Sequence, residues 1–173
     1  MKKQARIMIT DKCNYACYYC INKNKEVRNT FKSCNISDIL KNEYSSYCIT
    51  GGEPLLTYNK LTNLIKYLHY HSPTTSIYLY TNAELLDEEK AKDLARLGVK
   101  SINIGAHNLV LSYFTITKWM DINDIIPIRI HRWNELKDDY LEHECYEANV
   151  PIKYWEMNKC DTVDEDRFFL ESF

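Results

Sequence analysis

The sequence predicts an α/β fold, a partial and open (β/α)6 TIM-like barrel of parallel strands, on three observations. Short apolar stretches alternate with helical periodicities along the chain, about six times. Strand, helix, strand in repetition implies right-handed crossovers and hence a parallel sheet. A closed barrel of eight such units takes about 250 residues, and the 173 residues here hold about three-quarters of that. One side of the barrel is therefore expected to stay uncovered. No linker or shift in composition divides the chain, so residues 1–173 are expected as a single domain without an accessory domain.

The elements follow in order. Arg6 to Thr10 reads as the first strand, with a cysteine-bearing loop at its end. Ile36, Ile39 and Leu40 recur at helical spacing, with Asn35 or Ser37 as the cap. Tyr47 to Thr50 is a second strand, stopped by Gly51-Gly52. Leu61, Leu64, Ile65 and Leu68 keep the i, i+3, i+4, i+7 spacing of a helix with one apolar face. Ser76 to Asn82, rich in Ile, Tyr and Thr, is a third strand. Asp87 caps a helix carrying Ala91, Leu94 and Ala95, and Gly98 ends it. Lys100 to Ala106 is a fourth strand, followed by a short helix near Thr115–Met120. Ile126 to Ile130 is a fifth strand, with Pro127 at its start. Leu141, Cys145 and Ala148 mark a further helix, and Pro151 to Met157 a sixth strand. The acidic tail ends in Phe168-Phe169, expected to pack over the open barrel end.

Alternation along the strands assigns their faces, because successive side chains point to opposite sides. Ile102, Ile104 and Ala106 share one face of the fourth strand, and Ser101, Asn103, Gly105 and His107 the other. Ile77 and Leu79 oppose Tyr78, Tyr80 and Asn82; Ile126, Ile128 and Ile130 oppose Pro127, Arg129 and His131. The aliphatic faces should meet the helices. The polar faces should converge on a wet, hydrogen-bonding lumen suited to a ligand.

Composition excludes several classes. A formal net charge of −2 argues against general nucleic-acid binding or a membrane surface. No apolar run approaches the ~20 residues that cross a bilayer, and no secretory signal is visible, so a cytoplasmic location is expected. Seven cysteines, an odd number, fit reduced thiols better than a disulfide framework. Cys34, Cys48, Cys145 and Cys160 are scattered and read as small buried hydrophobes.

The chemistry concentrates in two runs. Cys13, Cys17 and Cys20 fall in Cys-Asn-Tyr-Ala-Cys-Tyr-Tyr-Cys. Three thiolates at this spacing suit an iron–sulfur cluster with three protein-held corners and one left open for chemistry. A structural zinc site wants four ligands in paired spacing, and no second Cys or His pair is near. The second run, Gly51-Gly52-Glu53-Pro54, supplies a carboxylate and backbone groups in a turn after a strand.

The Cys-x3-Cys-x2-Cys run, with Tyr19 before its last cysteine, resembles the radical S-adenosylmethionine (SAM) superfamily. Gly51-Gly52-Glu53-Pro54 resembles that family's second motif, and the strand ending Tyr80-Thr81-Asn82 its third strand. The resemblance implies that Cys13, Cys17 and Cys20 hold three irons of a [4Fe–4S] cluster, with SAM chelating the fourth. Reductive cleavage of SAM would then give a 5′-deoxyadenosyl radical that abstracts hydrogen from a substrate. It implies a SAM-ammonium role for Gly51, Gly52 and Glu53, and an adenine approach for Tyr19. Asn82, Asn103 and Arg129 become candidates for ribose and carboxylate contacts, and Tyr80, His107 and His131 for the substrate. A reduced flavodoxin or ferredoxin is the implied electron donor. The sequence departs from the family's frequent Thr-Asn-Gly, having Ala83 after Asn82. Gly105 and His107 stand where relatives often have Ser and Asp, and the frequent Gly-rich pattern is absent from Ile126–Trp133.

The polar lumen points to a small polar substrate, such as a nucleoside or amino-acid derivative, free or delivered by a partner. Two alternatives stay open. One is an activase that installs a glycyl radical on a partner enzyme such as anaerobic ribonucleotide reductase. The other is a non-enzymatic metal-binding module.

Overall fold

The computed structural model of the chain describes residues 3–17, 20–107, 111–156 and 164–171. Eight strands form one sheet: β1 (Gln4–Met8), β2 (Lys32–Cys34), β3 (Ser46–Thr50), β4 (Ser76–Thr81), β5 (Val99–Gly105), β6 (Ile128–Trp133), β7 (Ile152–Trp155) and β8 (Glu165–Leu170). All neighbours run parallel, in the order β2-β8-β1-β3-β4-β5-β6-β7, and the sheet stays open. The six expected strands are β1 and β3 to β7, side by side in chain order, as successive right-handed crossovers require.

Among the described residues, six α-helices accompany them: α1 (Lys25–Arg28), α2 (Ile36–Ile39), α3 (Tyr58–His71), α4 (Glu88–Arg96), α5 (Tyr113–Asn123) and α6 (Asp139–Glu147). Asn35 caps α2 in a reciprocal capping box with Asp38. The Asp87 side chain accepts from the Lys90 amide at the start of α4, and Gly98 follows that helix at φ 86°. The apolar stripe Leu61, Leu64, Ile65 and Leu68 of α3 is fully buried against the sheet's aliphatic face, which includes Ile7, Ile49, Leu79, Ile102 and Ile104. Burying each such side chain is worth about 1.5–3 kcal/mol. The core therefore lies between the sheet and its helices and leaves the opposite sheet face polar.

The structure corrects the expected layout at one edge. The tail does not lie over the barrel end; it inserts as β8 beside β1, and β2 pairs outside β8. Phe168 joins the core, edge-on to Tyr44 at 6.2 Å, whereas Phe169 takes the other face under the Arg28 guanidinium. The start of β8 is anchored by its carboxylates: Arg6 Nε donates to Glu165 Oε2 at 2.8 Å and Tyr44 Oη to Asp166 Oδ2 at 3.0 Å. Strand β6 starts at Ile128, later than expected, and runs on to Trp133. Pro127 has no N–H to give the ladder, and only its carbonyl takes part, accepting from Ile102 N at 2.9 Å. Cys48 and Cys145 are buried as expected and Cys34 is half-buried, while Cys160 lies outside the described residues.

Candidate active site

The cysteine loop starts where β1 ends, and the backbone of the Gly51-Gly52 turn lies directly against it. Gly52 N donates to Thr10 O and Glu53 N to Lys12 O, both at 2.7 Å. A Cβ on Gly51 would stand 2.7 Å from Thr10 O, and one on Gly52 only 2.1 Å from Lys12 O. Close approach of two backbones thus demands both glycines. From the far side of the loop, Asn22 Nδ2 donates to Gly51 O at 2.6 Å. The two sequence motifs form one hydrogen-bonded unit at the C-terminal end of the sheet.

Strand β4 supplies the third wall. Glu53 is fully buried, and its carboxylate accepts from Leu55 N at 2.9 Å, Thr81 Oγ1 at 2.7 Å and Asn82 N at 2.8 Å. Burial raises its pKa above the usual carboxylate range, and these three donors pull it back. Asn82 then reaches the loop, with Nδ2 2.8 Å from Asn14 Oδ1 and 4.0 Å from Cys13 Sγ. Ala83, where relatives often have Gly, takes φ 61°, a left-handed conformation that glycine adopts without steric cost.

Cys13 is exposed, Cys17 and Cys20 are half-exposed, and all three are free thiols. Cys13 Sγ accepts from Tyr15 N at 3.4 Å; burial, beside Glu53, raises its thiol pKa despite that bond. Among the described residues no three Cys, His, Asp or Glu side chains converge on a single metal-ion position. Three solvent-reachable soft donors on one short loop are the ligand chemistry that an iron–sulfur cluster uses. Tyr19 lies outside the described residues.

The polar sheet face continues from Asn82 toward β7. Trp155 Nε1 donates to His131 Nδ1 at 2.9 Å, and His131 Nε2 lies 3.0 Å from Asn103 Oδ1. With Nδ1 accepting, the ring proton sits on Nε2 and is donated to Asn103. Burial, then the charges of Arg129 and Lys153, pushes the His131 pKa down to about 4, so the imidazole is neutral at neutral pH. His107 is held down to about 4 by burial and Arg132, and its ring stacks on Trp133 at 4.6 Å. Tyr80 lies 6.1 Å from the His131 ring, with the Arg6 guanidinium 4.7 Å from its own centroid.

The structure thus brings Cys13, Gly51, Gly52, Glu53 and Asn82 together, with Cys17 and Cys20 on the same loop. It gathers Tyr80, Asn103 and His131 on the adjoining face, where register also places Arg129, and His107, past the end of β5, stacks on Trp133 of β6. Thr81, Asn14, Asn22, Arg6 and Trp155 were not singled out from sequence. Arg6 and Trp155 carried a signal, since strand alternation puts both on the polar face.

A model of the radical SAM superfamily matches residues 7–110, and the chain belongs to that family. It is 33% identical over 129 residues to a GTP 3′,8-cyclase of Clostridium acetobutylicum, covering 70% of this chain and 40% of that protein. A GTP 3′,8-cyclase of Clostridium perfringens is 32% identical over 158 residues, covering 86% of this chain and 44% of the relative. The chain therefore spans less than half the length of these relatives. Among solved structures, the coproporphyrinogen III oxidase HemN from Escherichia coli matches with a TM-score of 0.60 at 12% identity, covering 94% of this chain and 46% of that one. BtrN in complex with AdoMet and 2-DOIA matches with a TM-score of 0.54 at 18% identity, covering 75% of this chain and 57% of that one. These two establish the fold, the partial barrel of radical SAM enzymes. The family works with a [4Fe–4S] cluster and SAM. Among the described residues no helix is long and apolar enough to cross a membrane.

Proposed function

We propose that Cys13, Cys17 and Cys20 hold the [4Fe–4S] cluster and that the adjoining polar face receives a small polar substrate. The observation that carries this reading is the joining of the cysteine loop, the Gly51-Gly52 turn and the end of β4 into one unit. When bound, the cluster and SAM supply reductive cleavage of the sulfonium bond and a 5′-deoxyadenosyl radical able to abstract hydrogen. The chain's own residues position these groups. Glu53, with its carboxylate committed to Leu55, Thr81 and Asn82, fixes the turn, so that the backbone of Gly51 to Glu53 is the part that meets the SAM ammonium. Asn82, beside Cys13, contacts SAM from β4. Tyr80, His107 and His131 line the substrate side; both histidines are neutral there and serve as hydrogen-bonding groups rather than cations. The two clostridial relatives are cyclases named for GTP, a purine nucleotide, and a nucleoside derivative is the substrate class this reading favours. Reduced flavodoxin or ferredoxin is the proposed donor of the electron.

Anaerobic reconstitution with iron and sulfide tests the reading. The wild-type protein should bind about four irons and cleave SAM under dithionite, releasing 5′-deoxyadenosine. Cys17→Ala should lose both properties. Full iron content and SAM cleavage in Cys17→Ala would overturn the assignment.

A further inference from the structure

The segment that carries the cysteines leaves the sheet at the end of β1 and rejoins it at β2. Strand β8 lies between these two strands and pairs with both: Gln4 to Met8 run beside Glu165 to Phe169, and Lys32 to Cys34 beside Phe168 to Leu170. Among the described residues β2 has no other strand partner. The far end of the cysteine segment is therefore held in the sheet by the C-terminal strand.

Side chains close the same seam where the loop begins. Lys60, half-buried on α3, donates to Ile9 O at 3.0 Å and to Leu170 O at 2.9 Å. One ammonium thus ties the last residue of β8 to the residue that follows β1, four positions before Cys13. Arg28, the last residue of α1, makes a second tie. Its Nη2 lies 3.5 Å from Asp11 Oδ2, and its guanidinium 5.6 Å from the centroid of the Phe169 ring. Arg167 of β8 donates to Thr30 Oγ1 at 3.0 Å, just past α1. Glu53 and Asn82 fix the loop from the β3 and β4 side, and these contacts fix it from the other side of β1. A loop left open would lose conformational freedom on taking up a ligand, and that loss would weaken binding.

We propose that β8 is a positioning strand for the cluster loop, locked by Lys60 and Arg28, so that loading of the cluster and docking of β8 stabilise each other. The proposal rests on the reading that Cys13, Cys17 and Cys20 hold the cluster. Coupling between two binding events is reciprocal. Loading the cluster must then tighten a strand that carries no cysteine and lies at the other end of the sequence.

Hydrogen exchange of the wild-type protein, before and after anaerobic reconstitution with iron and sulfide, tests this. Loading should slow exchange in β8 by about tenfold or more, because a ligand that binds only the closed form suppresses its opening. Strand β5 should change less. Lys60→Met keeps the aliphatic stem and removes both hydrogen bonds. It should abolish most of the slowing and speed iron release to a chelator by about tenfold, the loss of a charge-assisted bond. Lys60→Arg should restore part of both. Arg28→Gln, a change at a half-exposed helix end, should reduce the slowing through the second tie. Equal exchange in β8 before and after loading, or slowing that Lys60→Met and Arg28→Gln both leave intact, would overturn the proposal; a strand serving only as sheet structure gives that result. Wild-type protein that takes up no iron would overturn the cysteine assignment and the proposal together, whereas iron uptake without slowing overturns the proposal alone.

Discussion

The backbone amide of Glu53 donates to the carbonyl of Lys12 at 2.7 Å, one residue before the first cysteine of the loop. The turn after β3 thus grips the loop after β1 through main-chain groups, and the Asn22 side chain adds one bond to Gly51 O. This geometry sets what substitution of the turn can do.

Gly52→Ala should be poorly tolerated. The added Cβ falls 2.1 Å from Lys12 O, and the neighbour is backbone, which has no rotamer to escape into. Overpacking of this kind costs about 1–3 kcal/mol. Urea unfolding should show that loss, and iron incorporation should fall because the loop is displaced.

Glu53→Gln tests the buried carboxylate. Both oxygens accept hydrogen bonds, and an amide N–H₂ in place of either would face a donor from Thr81, Leu55 or Asn82. The expected loss is about 1–3 kcal/mol, the cost of buried donors left unsatisfied. An unchanged urea midpoint would show that the carboxylate does not hold the turn.

Glu165→Gln should loosen the seam between β1 and β8. The substitution removes the negative charge that Arg6 and Arg167 share, with the Glu165 side chain only 3% exposed. A loss of about 1–3 kcal/mol is expected from weakening hydrogen bonds to charged groups. Limited proteolysis should then cut the C-terminal strand sooner than in the wild type.

Acid should destabilise the protein through its histidines. His131 and His107 are both lowered to about 4 by burial first and by neighbouring cations second, against about 6.5 in an unfolded chain. Between those values the unfolded chain binds more protons than the folded one, so stability rises with pH across the window. The contribution is complete above about pH 6.5 and is lost as pH falls toward about 4. Thermal unfolding of wild type and His131→Gln over this range checks it: the variant's melting temperature should fall less steeply. Parallel profiles would show that His131 is not held neutral.

Much of this was legible in the sequence. The six central strands, the caps at Asn35 and Asp87, the left-handed Gly98 and the split of Ile102 and Ile104 from Asn103 all follow from local chemistry and alternation. Strands β2 and β8 did not. Lys32-Ser33-Cys34 has no apolar period, and Glu165-Asp166-Arg167 reads as a solvated acidic tail. Their pairing depends on Arg6 and Tyr44, distant in sequence, which neutralise or bond the carboxylates. In the site, the motif residues were visible as types at a spacing. The clamp from Thr81 to Glu53 and the fixed tautomer of His131 were not, because each depends on which strands become neighbours.

The cluster proposed on Cys13, Cys17 and Cys20 keeps one iron open to SAM. Electron paramagnetic resonance of the reconstituted, dithionite-reduced protein tests it most directly, recorded with and without SAM. Direct chelation of the unique iron should shift the g-values of the reduced cluster when SAM is added, with no shift on adding methionine-free buffer. A spectrum that SAM leaves unchanged, in protein shown to hold about four irons, would mean that no iron is open to SAM.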